Sequence, residues 1–533
     1  MSLADELAIT TNVHDELTMR MNAFDAVAAD NKPEQNQVKS WAKKAKERTQ
    51  GGLTEKLIQK HEADFKYIKG IGWLAWTGTH WADGENTLLK AAQGVVDDYL
   101  DEGEHLIKQA YLIKSQSFQD QGSTPDLARK LEKEANEIKA LCKGHRTAKG
   151  LKGIETMAQM NLTAKIEDFD RNIWLLNCAN GTLNLRTGQL KRHERDDLIT
   201  KLIPIEYDKD AQCPRWNQFL KEIMCDDLDL IDYLQRIIGL CLTGSNTEQS
   251  FFVLHGSGRN GKTVFMTTIQ ALLGCYTVEL KSEILLKSGG PTNAHGPTEE
   301  LAKLVGTRLV TANETEQGRK LSESLVKQMT GGDKITARKL HQSPIEFIPQ
   351  FKLFLRTNHK PDTEGDDNGL WRRIKLIPFE KEFTEFEADL GLAETIQSEL
   401  PGILSWALEG LHKYLEPGSG GLKVPQKVLE ATQEYRNEQN EFSSFLRHEL
   451  VPKMRPSEKG YTTRSIQERF NAWAQRCHLP IMLEKDVTKE LKKLGWGKER
   501  GTGKNGPRLN TPPPQWRTLT VDLEALTATQ DEV

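Results

Sequence analysis

The chain has 533 residues, too many for one hydrophobic core, and this length predicts three or four domains. Its 37% hydrophobic and 28% charged residues are typical of a soluble globular protein, and no apolar run is long enough for a membrane helix. Because the formal net charge is −4, any contact with nucleic acid must come from local basic surfaces. We therefore expect a cytoplasmic protein without a membrane partner.

The seven cysteines are scattered and form no C-x-x-C pair. Cys142 and His145 have the spacing of half a zinc site, but no second pair follows at ligand spacing. We expect the cysteines to pack as small hydrophobic residues in a reducing compartment, without a structural metal.

The N-terminal part of the chain is predicted to form a helical extension over residues 1–60 and an α+β domain over residues 61–160. Within the latter, Tyr67–Asp83 alternates aromatic residues with Gly and Thr, as short strands do. Leu88–Ile113 and Pro125–Cys142 have helical periodicity.

Three tryptophans, Trp73, Trp76 and Trp81, lie in the predicted strands. They could form a platform on which nucleic-acid bases stack. Such a cluster more often forms the core of a small sheet, and we favour that interpretation.

Residues 161–250 change from strands to helices. Asn180–Leu190 reads NGTLNLRTGQL, in which Asn-Gly, alternating leucines and Thr-Gly indicate a β-hairpin. Leu228–Leu242 then has the apolar periodicity of a helix that leads into the next domain.

The most informative stretch is GSGRNGKT, which follows the apolar run Phe251–Leu254 and precedes helical spacing in Val264–Leu273. This order of strand, glycine-rich turn and helix predicts a phosphate-binding loop, because the N–H groups of the turn and the helix N-terminus attract phosphate oxygens. Lys262 would reach the β- and γ-phosphates of ATP, and Thr263 would offer its hydroxyl to Mg²⁺. The residues assigned to nucleotide binding are Gly256, Ser257, Gly258, Arg259, Asn260, Gly261, Lys262 and Thr263.

Behind this loop, RLVTANETE (Arg308–Glu316) is a short apolar strand that ends in acidic residues. An NTPase places its metal-coordinating and water-polarising carboxylates at such a position. We assign this role to Glu314, with Glu316 as the second candidate.

A predicted hairpin follows, with strands at Ile335–Lys339 and Ile345–Ile348. Its tip carries Arg338, Lys339 and His341, which suit non-specific contact with a nucleic-acid backbone. The alternative for this tip is a solvated turn.

Two further features complete the series. The apolar strand Lys352–Leu355 leads to Asn358, whose amide could sense the γ-phosphate or position the attacking water. Arg372 and Arg373 precede another apolar strand, and one of them could insert into the nucleotide site of a neighbouring subunit.

Near the C-terminus, residues 426–521 are predicted to form a winged-helix-like domain, and residues 522–533 a disordered tail. Contact with DNA and docking to a protein both remain open for this domain. Its predicted elements are helices at Phe442–Leu450, Ser465–Cys477 and Glu484–Leu494 and a Gly- and Lys-rich ribbon at Gly495–Arg508.

Taken in order, GSGRNGKT, RLVTANETE, KQMTGGDKITARKL, LFLRTN and DDNGLWRRI resemble the motif series of superfamily 3 helicases. The resemblance is nearest to the helicase regions of phage and plasmid primase–helicases and the related poxvirus protein. Upstream, NGTLNLRTGQL, YDKDAQCPRWNQFL and LTGSNTEQSFF are similar to the collar that precedes this motor. The resemblance covers roughly residues 65–515.

The resemblance implies an α/β fold in which an AAA+-like P-loop ATPase core, here residues 251–415, works as a ring on DNA. The ring is usually a hexamer. It also implies that residues 161–250 form a strand and helix collar for oligomerisation.

By position, the resemblance implies that Lys262 and Thr263 bind phosphate and Mg²⁺, and that Glu314 coordinates the metal and activates water. Asn358 is then the sensor of the γ-phosphate.

For the remaining positions, the resemblance implies that Arg372 or Arg373 is the finger supplied in trans. The DNA-contacting tip is then Lys339 and His341, with Arg338 nearby.

Two departures from the family pattern leave details open. The acidic motif reads Asn313-Glu314 rather than paired carboxylates, which leaves open whether Glu316 shares the metal role. Leu340 separates the basic residues of the tip, which leaves open the side chain that meets DNA.

We expect an ATP-dependent DNA helicase of a phage, prophage or plasmid-like element, which acts on single-stranded and forked DNA in the cytoplasm of a bacterial host. The residues upstream of Tyr67 are too few and too helical for a primase domain, so we expect no priming activity in this chain. A primase or initiator is then a separate polypeptide, or the primase has been left out of this sequence. One alternative is an origin-binding initiator or scaffold whose ATP site is only a switch. Another is a small-molecule P-loop kinase, against which the hairpin and the arginine pair argue.

Overall fold

The computed structural model describes residues 49–117, 125–287, 299–313, 319–340, 342–363, 367–387, 389, 391–418, 421–451, 460–477, 479–500 and 508–512. Their contacts divide them into two compact units. The first comprises the described residues up to Trp76 together with Ala82–Lys165, and the second comprises Thr77–Trp81 and the described residues from Ile166 onward. In the described part of the chain, no helix is both long enough and apolar enough to cross a membrane.

The first unit combines a small sheet with helices. Its two longest helices, α2 and α3, pack against each other, and both are slightly longer than the periodicity predicted. Apolar side chains of α1, α2, α3 and α4 form one core with those of the sheet. The helices are α1 (Gln50–His61), α2 (Glu85–Ser117), α3 (Pro125–His145) and α4 (Ala148–Gln159). The sheet has the order β3-β2-β1-β4, from strands β1 (Phe65–Ile68), β2 (Gly72–Trp76), β3 (Trp81–Asp83) and β4 (Thr163–Ala164).

Two of the three tryptophans in this segment are core residues. Trp73 is buried in the first unit, where its indole N–H donates to Glu155 Oε1 at 2.9 Å. Trp81 is buried in the second unit, where its indole N–H donates to the Arg195 carbonyl at 2.9 Å. The prediction of a small-sheet core is therefore confirmed for Trp73, whereas Trp81 packs against Phe169 within the second unit and Trp76 is half-buried.

The second unit begins with a three-stranded antiparallel sheet in the order β5-β6-β7, followed by two helices. The predicted hairpin at Asn180–Leu190 is confirmed, since β6 pairs with β7 through Leu183 and Leu190. The elements are β5 (Leu175–Cys178), β6 (Gly181–Asn184), β7 (Gln189–Lys191), α5 (Pro214–Ile223) and α6 (Leu228–Cys241).

A five-stranded parallel sheet follows, in the order β14-β8-β13-β10-β9. The three inner strands are almost entirely buried, as expected of a parallel sheet, whereas the edge strand β9 has only one buried residue. The strands are β8 (Phe251–His255), β9 (Thr277–Leu280), β10 (Leu309–Asn313), β13 (Lys352–Thr357) and β14 (Ile374–Pro378). Between and after them lie α7 (Lys262–Leu273), α8 (Ser282–Leu285), α9 (Glu299–Ala302), α10 (Glu323–Thr330), the hairpin strands β11 (Ile335–Ala337) and β12 (Ile345–Phe347), α11 (Asn368–Trp371), α12 (Leu392–Ser398) and α13 (Leu400–Leu415).

The C-terminal part of the second unit has its own hydrophobic core. The three predicted helices are present and two paired strands lie in the region of the predicted ribbon, of which residues 501–507 lie outside the described residues. Their assignment as a winged helix stays a prediction. The elements are α14 (Gln426–Glu438), α15 (Glu441–Phe445) continued by the π-helical turn Leu446–Leu450, α16 (Thr463–Arg476), α17 (Glu484–Lys493) and the antiparallel strands β15 (Gly497–Arg500) and β16 (Arg508–Thr511).

Candidate functional site

The predicted phosphate-binding loop connects β8 to α7 at the carboxyl edge of the parallel sheet. Gly258, Arg259 and Gly261 have φ values of +123°, +46° and +81°, a left-handed conformation that favours glycine. A Cβ at Gly256 would overlap the side-chain amide of Asn260 and the carbonyl of Phe379. The backbone conformation of the loop therefore requires these glycines. The same conformation curves the loop so that its N–H groups can surround an anion.

Lys262, the first residue of α7, is buried inside this loop. Its ammonium donates to the Gly256 carbonyl at 2.7 Å and to the side-chain oxygen of Asn358 at 3.0 Å. The loop thus holds a buried positive charge at a helix N-terminus, where it would attract phosphate.

The electrostatic surroundings agree with an anion site. His255 ends β8 directly before the loop. Burial and the positive charges of Lys360 and Lys262 lower the pKa of His255. Lys360 is paired with Glu438 at 2.8 Å, so Lys262 is the cation of the two that remains to attract the phosphates of a nucleotide.

Residues that suit Mg²⁺ lie at the same edge. Thr263 is exposed in the first turn of α7, so its hydroxyl is accessible to a hydrated cation. On β10, Asn313 pairs in register with Arg356 of β13, and its amide donates to Glu279. The predicted ligands Glu314 and Glu316 follow Asn313 in the chain and lie outside the described residues.

The two adjacent arginines occupy different surroundings. Arg373 is half-buried, and its guanidinium donates to the Gly369 carbonyl at 2.6 Å and to Gln249 Oε1 at 3.3 Å. Burial and the charge of Arg372 lower the pKa of Arg373. The Arg372 side chain is exposed and hydrogen-bonds to no other residue in the described part of the chain. Only Arg372 is therefore available to another subunit without breaking internal bonds.

The predicted basic hairpin is present, with strands slightly shorter than the sequence pattern indicated. Strands β11 and β12 pair antiparallel, and buried Ile335 and Phe347 face each other in register. Of the tip residues, Arg338 is exposed and Lys339 is half-buried, whereas His341 lies outside the described residues. Strand pairing at the base of the hairpin limits the positions that the basic tip can occupy.

Two buried cations at the amino ends of core strands were not predicted as functional residues. Arg308, directly before β10, donates to the carbonyls of Leu242 and Leu175. Lys352, the first residue of β13, donates to the carbonyls of Thr243 at 2.5 Å and Ser245 at 3.2 Å. A charged residue immediately before an apolar strand was the available signal, but the partners are distant in sequence.

These cations attach two core strands to the end of α6. Leu242, Thr243 and Ser245 follow the last turn of that helix, where unpaired carbonyls concentrate partial negative charge. At their other ends, β10 and β13 lead to the candidate acid and to Asn358. Arg308 and Lys352 therefore anchor the strands that present the candidate catalytic groups.

Two family models match the chain. Residues 54–225 match the model described as "D5 N terminal like", and residues 254–373 match a family of unknown function (DUF5906). The second match spans the phosphate-binding loop, the hairpin and both arginines.

Three similar proteins come from large DNA viruses. The chain is 32% identical over 329 residues to "Putative helicase L207/L206" of Acanthamoeba polyphaga mimivirus, an alignment that covers 58% of this chain and 34% of the relative. It is 25% identical over 461 residues to "Putative helicase 184R" of Invertebrate iridescent virus 6, which covers 74% of this chain and 46% of the relative. A "Putative primase" of African swine fever virus (isolate Tick/Malawi/Lil 20-1/1983) is 24% identical over 347 residues, which covers 61% of this chain and 35% of the relative. The chain thus spans less than half the length of these three proteins.

Among solved structures, "The A form apo structure of NrS-1 C terminal region-CTR" has a TM-score of 0.37 and 10% sequence identity. That alignment covers 58% of this chain and 78% of the other.

Proposed function

The chain belongs to the D5-like primase–helicases, and from this premise we propose that it is an ATP-dependent DNA helicase of superfamily 3 that acts in DNA replication. The observation that carries the proposal is the hydrogen bond between Lys262 of the phosphate-binding loop and Asn358 at the end of β13. It supports an AAA+-like site, in which the loop after one strand leads to the phosphate-binding lysine and the residue after the neighbouring strand supplies a polar group that senses the γ-phosphate.

The loop residues would hold ATP through their N–H groups, with Lys262 on the β- and γ-phosphates. Thr263 and Glu314 would hold Mg²⁺, and the chemistry that the metal would supply there is neutralisation of the negative charge on the phosphates. Asn358 would position the attacking water, because an amide beside the lysine can hydrogen-bond to a group next to the γ-phosphate. Glu314 would accept the proton from that water.

Arg372 is the better candidate for the finger supplied in trans. Its guanidinium is exposed, whereas that of Arg373 is bonded to Gly369 and Gln249 of its own chain. An arginine that enters a neighbouring nucleotide site loses its hydration at the subunit boundary. The free-energy cost of this move is smallest when the arginine gives up no hydrogen bond within its own chain. Arg373 would instead hold the turn that presents Arg372.

The hairpin would grip single-stranded DNA through Arg338, Lys339 and His341. Lys339 already lies near another cation, since its charge adds to burial in lowering the pKa of Lys201. Two exposed or half-exposed cations at one hairpin tip favour contact with a phosphate backbone and give no base specificity. Movement of the hairpins of successive subunits, one after another, would pull the DNA strand through the ring.

Completion of each nucleotide site by a neighbour's arginine requires head-to-tail contacts that close into a ring, which we propose to be a hexamer. Residues 161–250 would form the collar that holds the ring together. The substrate would be forked DNA of a virus, phage or plasmid in the cytoplasm of its host, with a primase or initiator as a further partner.

The test compares Lys262→Ala with Lys303→Ala in the same domain. Lys303 is exposed and paired with Glu300, so its loss removes a charge and leaves the loop intact. We expect Lys262→Ala to abolish ATP hydrolysis and unwinding of a forked substrate, and Lys303→Ala to retain both. Full unwinding by Lys262→Ala would contradict the proposal. Site-specific duplex binding with negligible strand displacement by the unmodified chain would indicate an origin-binding initiator instead.

A further inference from the structure

Helix α10 and the short helix α11 pack against each other, and each leads to a different part of the proposed machinery. Helix α10 leads through Gly331 and Gly332 into strand β11 of the hairpin with the basic tip. Helix α11 leads directly to Arg372, the candidate for the arginine supplied in trans. The contact between these two helices therefore joins the candidate DNA-binding element to the candidate finger.

The two helices are connected by an ion pair between Lys327 and Asp367. Lys327 lies in the last turn of α10, and Asp367 is the N-cap of α11. The Asp367 carboxylate also accepts from the Gly369 N–H at 2.6 Å, so it is fixed to the turn that it caps. The hydrogen bonds from Lys327 and from this N–H lower the pKa of Asp367, which therefore stays ionised at neutral pH.

The connection between α10 and the hairpin is braced in spite of its two glycines. The Gln328 amide donates to the Lys334 carbonyl at 3.2 Å, which spans the glycines. The Asn246 amide donates to the carbonyls of Thr330 and Gly331, both at 3.2 Å. Because the connection is held from two sides, a movement of the hairpin is passed on to α10 rather than absorbed by rotation at the glycines.

The loop before β8 contacts both sides of this connection. Asn246 is bonded to the end of α10, and Gln249, in the same loop, accepts from Arg373 at 3.3 Å. Burial lowers the pKa of Arg373, and the charges of Asp367 and Asp333 oppose that shift. Asp333 lies between α10 and β11, so opposite charges attract each other here as well as at the ion pair. The root of the hairpin is therefore connected to the arginine pair by one loop and by two attractions between charges.

We propose that Lys327 and Asp367 are positioning residues that link the DNA-contacting hairpin to the arginine supplied in trans. DNA at the hairpin tip holds α10 in place, and the ion pair then fixes α11 in the orientation in which Arg372 reaches the neighbouring nucleotide site. Without the pair both elements still fold, but DNA no longer favours one orientation of the arginine. The inference rests on the proposed function, because it assigns the route by which DNA accelerates hydrolysis.

The test measures ATP hydrolysis by the full chain with and without oligo(dT). In Lys327→Met and in Asp367→Asn we expect the stimulation by DNA to fall about fivefold or more, a typical coupling between two sites. Asparagine caps a helix about as well as aspartate does, so Asp367→Asn removes the charge and keeps the cap. The Kd for oligo(dT) should change by less than about twofold, because the basic tip is intact.

Three further variants distinguish coupling from a general loss of structure. The double variant Lys327→Met/Asp367→Asn should lose no more stimulation than either single variant, because both changes remove the same pair. Lys327→Arg should retain most of the stimulation, because it keeps a charged donor for the carboxylate. Lys334→Met breaks the ion pair with Glu346 at the base of the same hairpin and should leave the stimulation within about twofold.

Thermal melting separates the proposed role from a contribution to folding. The Lys327 and Asp367 side chains are 32% and 39% exposed, and an ion pair of this exposure contributes little to stability. We therefore expect the melting temperature of Lys327→Met to fall by less than about 4 °C, although the stimulation is largely lost.

The possible outcomes separate this inference from the proposed function. Stimulation within about twofold of the unmodified chain in both single variants would overturn the inference alone. So would losses that multiply in the double variant, an equal loss in Lys327→Arg and Lys327→Met, or a loss of stimulation matched by weaker binding to oligo(dT). Hydrolysis by the unmodified chain that does not respond to DNA would overturn the proposed function and the inference with it.

Discussion

Lys262 and Asn358 are joined by a 3.0 Å hydrogen bond across two neighbouring parallel strands. The register explains the contact, since His255 at the end of β8 pairs with Thr357 at the end of β13. The phosphate-binding loop starts directly after His255, and the sensor Asn358 directly follows Thr357, the residue that pairs with His255. Strand pairing, rather than the loop alone, aligns the two groups.

Asn358→Ala should reduce hydrolysis far more than binding. Loss of one polar group that acts on the transferring phosphate typically costs about 100-fold in kcat. The loop remains to bind nucleotide, so we expect the Kd for a fluorescent ATP analogue to change by less than about threefold. His359→Ala, at the exposed next position, is the matched control. An equal loss in Kd and kcat would mean that Asn358 only supports the fold of the loop.

Arg372→Ala and Arg373→Ala should have different effects. Arg372→Ala should lower DNA-stimulated ATP hydrolysis by about 1000-fold and leave the melting temperature unchanged, because its side chain is exposed. Arg373→Ala should destabilise the fold by about 1–3 kcal/mol, since the Gly369 carbonyl and Gln249 lose their donor. Thermal melting and steady-state kinetics measure the two effects.

Mixed rings test whether the arginine acts in trans. We expect a mixture of Lys262→Ala and Arg372→Ala subunits to hydrolyse more ATP than either variant alone, because some interfaces combine an intact loop with an intact arginine. The same should hold for the Arg372→Ala/Arg373→Ala double variant if it folds. Activity of the mixture no higher than that of the two variants would count against a finger from the neighbour.

Gly258→Ala and Gly261→Ala separate backbone strain from packing. Both positions have positive φ, so each substitution should cost about 1–2 kcal/mol. A Cβ at position 258 meets open space, whereas one at position 261 would overlap Ile223 and approach Phe219. We therefore expect Gly261→Ala to be the more destabilising by about 1–3 kcal/mol in denaturant unfolding. Equal losses would show that the loop can move away from α5.

The hairpin tip should couple DNA to hydrolysis. We expect Arg338→Ala/Lys339→Ala to weaken binding to oligo(dT) and to reduce the stimulation of ATP hydrolysis by single-stranded DNA at least about tenfold. Lys334→Ala is the matched control, because Lys334 lies at the base of the hairpin and is paired with Glu346 at 3.7 Å. Titration of DNA in an ATPase assay measures both. Stimulation that survives in the double variant would assign DNA contact to another surface.

Lys352 should make the stability of the fold depend on pH. Burial, aided by the charge of Arg308, lowers the pKa of Lys352 from 10.5 to about 7. Between those values the unfolded chain binds the additional proton, so this residue makes stability rise with pH, by at most about 1.4 kcal/mol per pH unit. Below about pH 7 both states are protonated, and the dependence disappears.

Melting of Lys352→Met at pH 7 and pH 9, beside the unmodified chain, tests this expectation. The variant should be less stable at both values, because the carbonyls of Thr243 and Ser245 lose their donor. The difference in stability between the unmodified chain and the variant should be larger at pH 9, because only the unmodified chain gains stability from the lysine as the pH rises. Lys281→Met, at an exposed position, should show no such change in the stability difference. A stability difference that is the same at both pH values would mean that Lys352 stays charged in the folded chain.

Features that depend on neighbouring residues could be read from the sequence. The phosphate-binding loop was predictable because its glycines, its lysine and the flanking strand and helix are contiguous, and left-handed φ values at Gly258 and Gly261 follow from that local pattern. The hairpin at Asn180–Leu190, the hairpin with the basic tip and the three C-terminal helices were predictable from turn residues and periodicity. The roles of Glu314 and His341 stay predictions, as both lie outside the described residues.

Only tertiary structure distinguishes residues that look alike in the chain. Arg372 and Arg373 are adjacent and chemically identical, and they differ because Gln249, distant in sequence, bonds one of them. Arg308 and Lys352 look like ordinary surface charges until strand order brings them to the end of α6. The physical reason is range: backbone conformation responds to a few neighbouring residues, whereas burial and hydrogen-bond partners depend on which distant segments pack together.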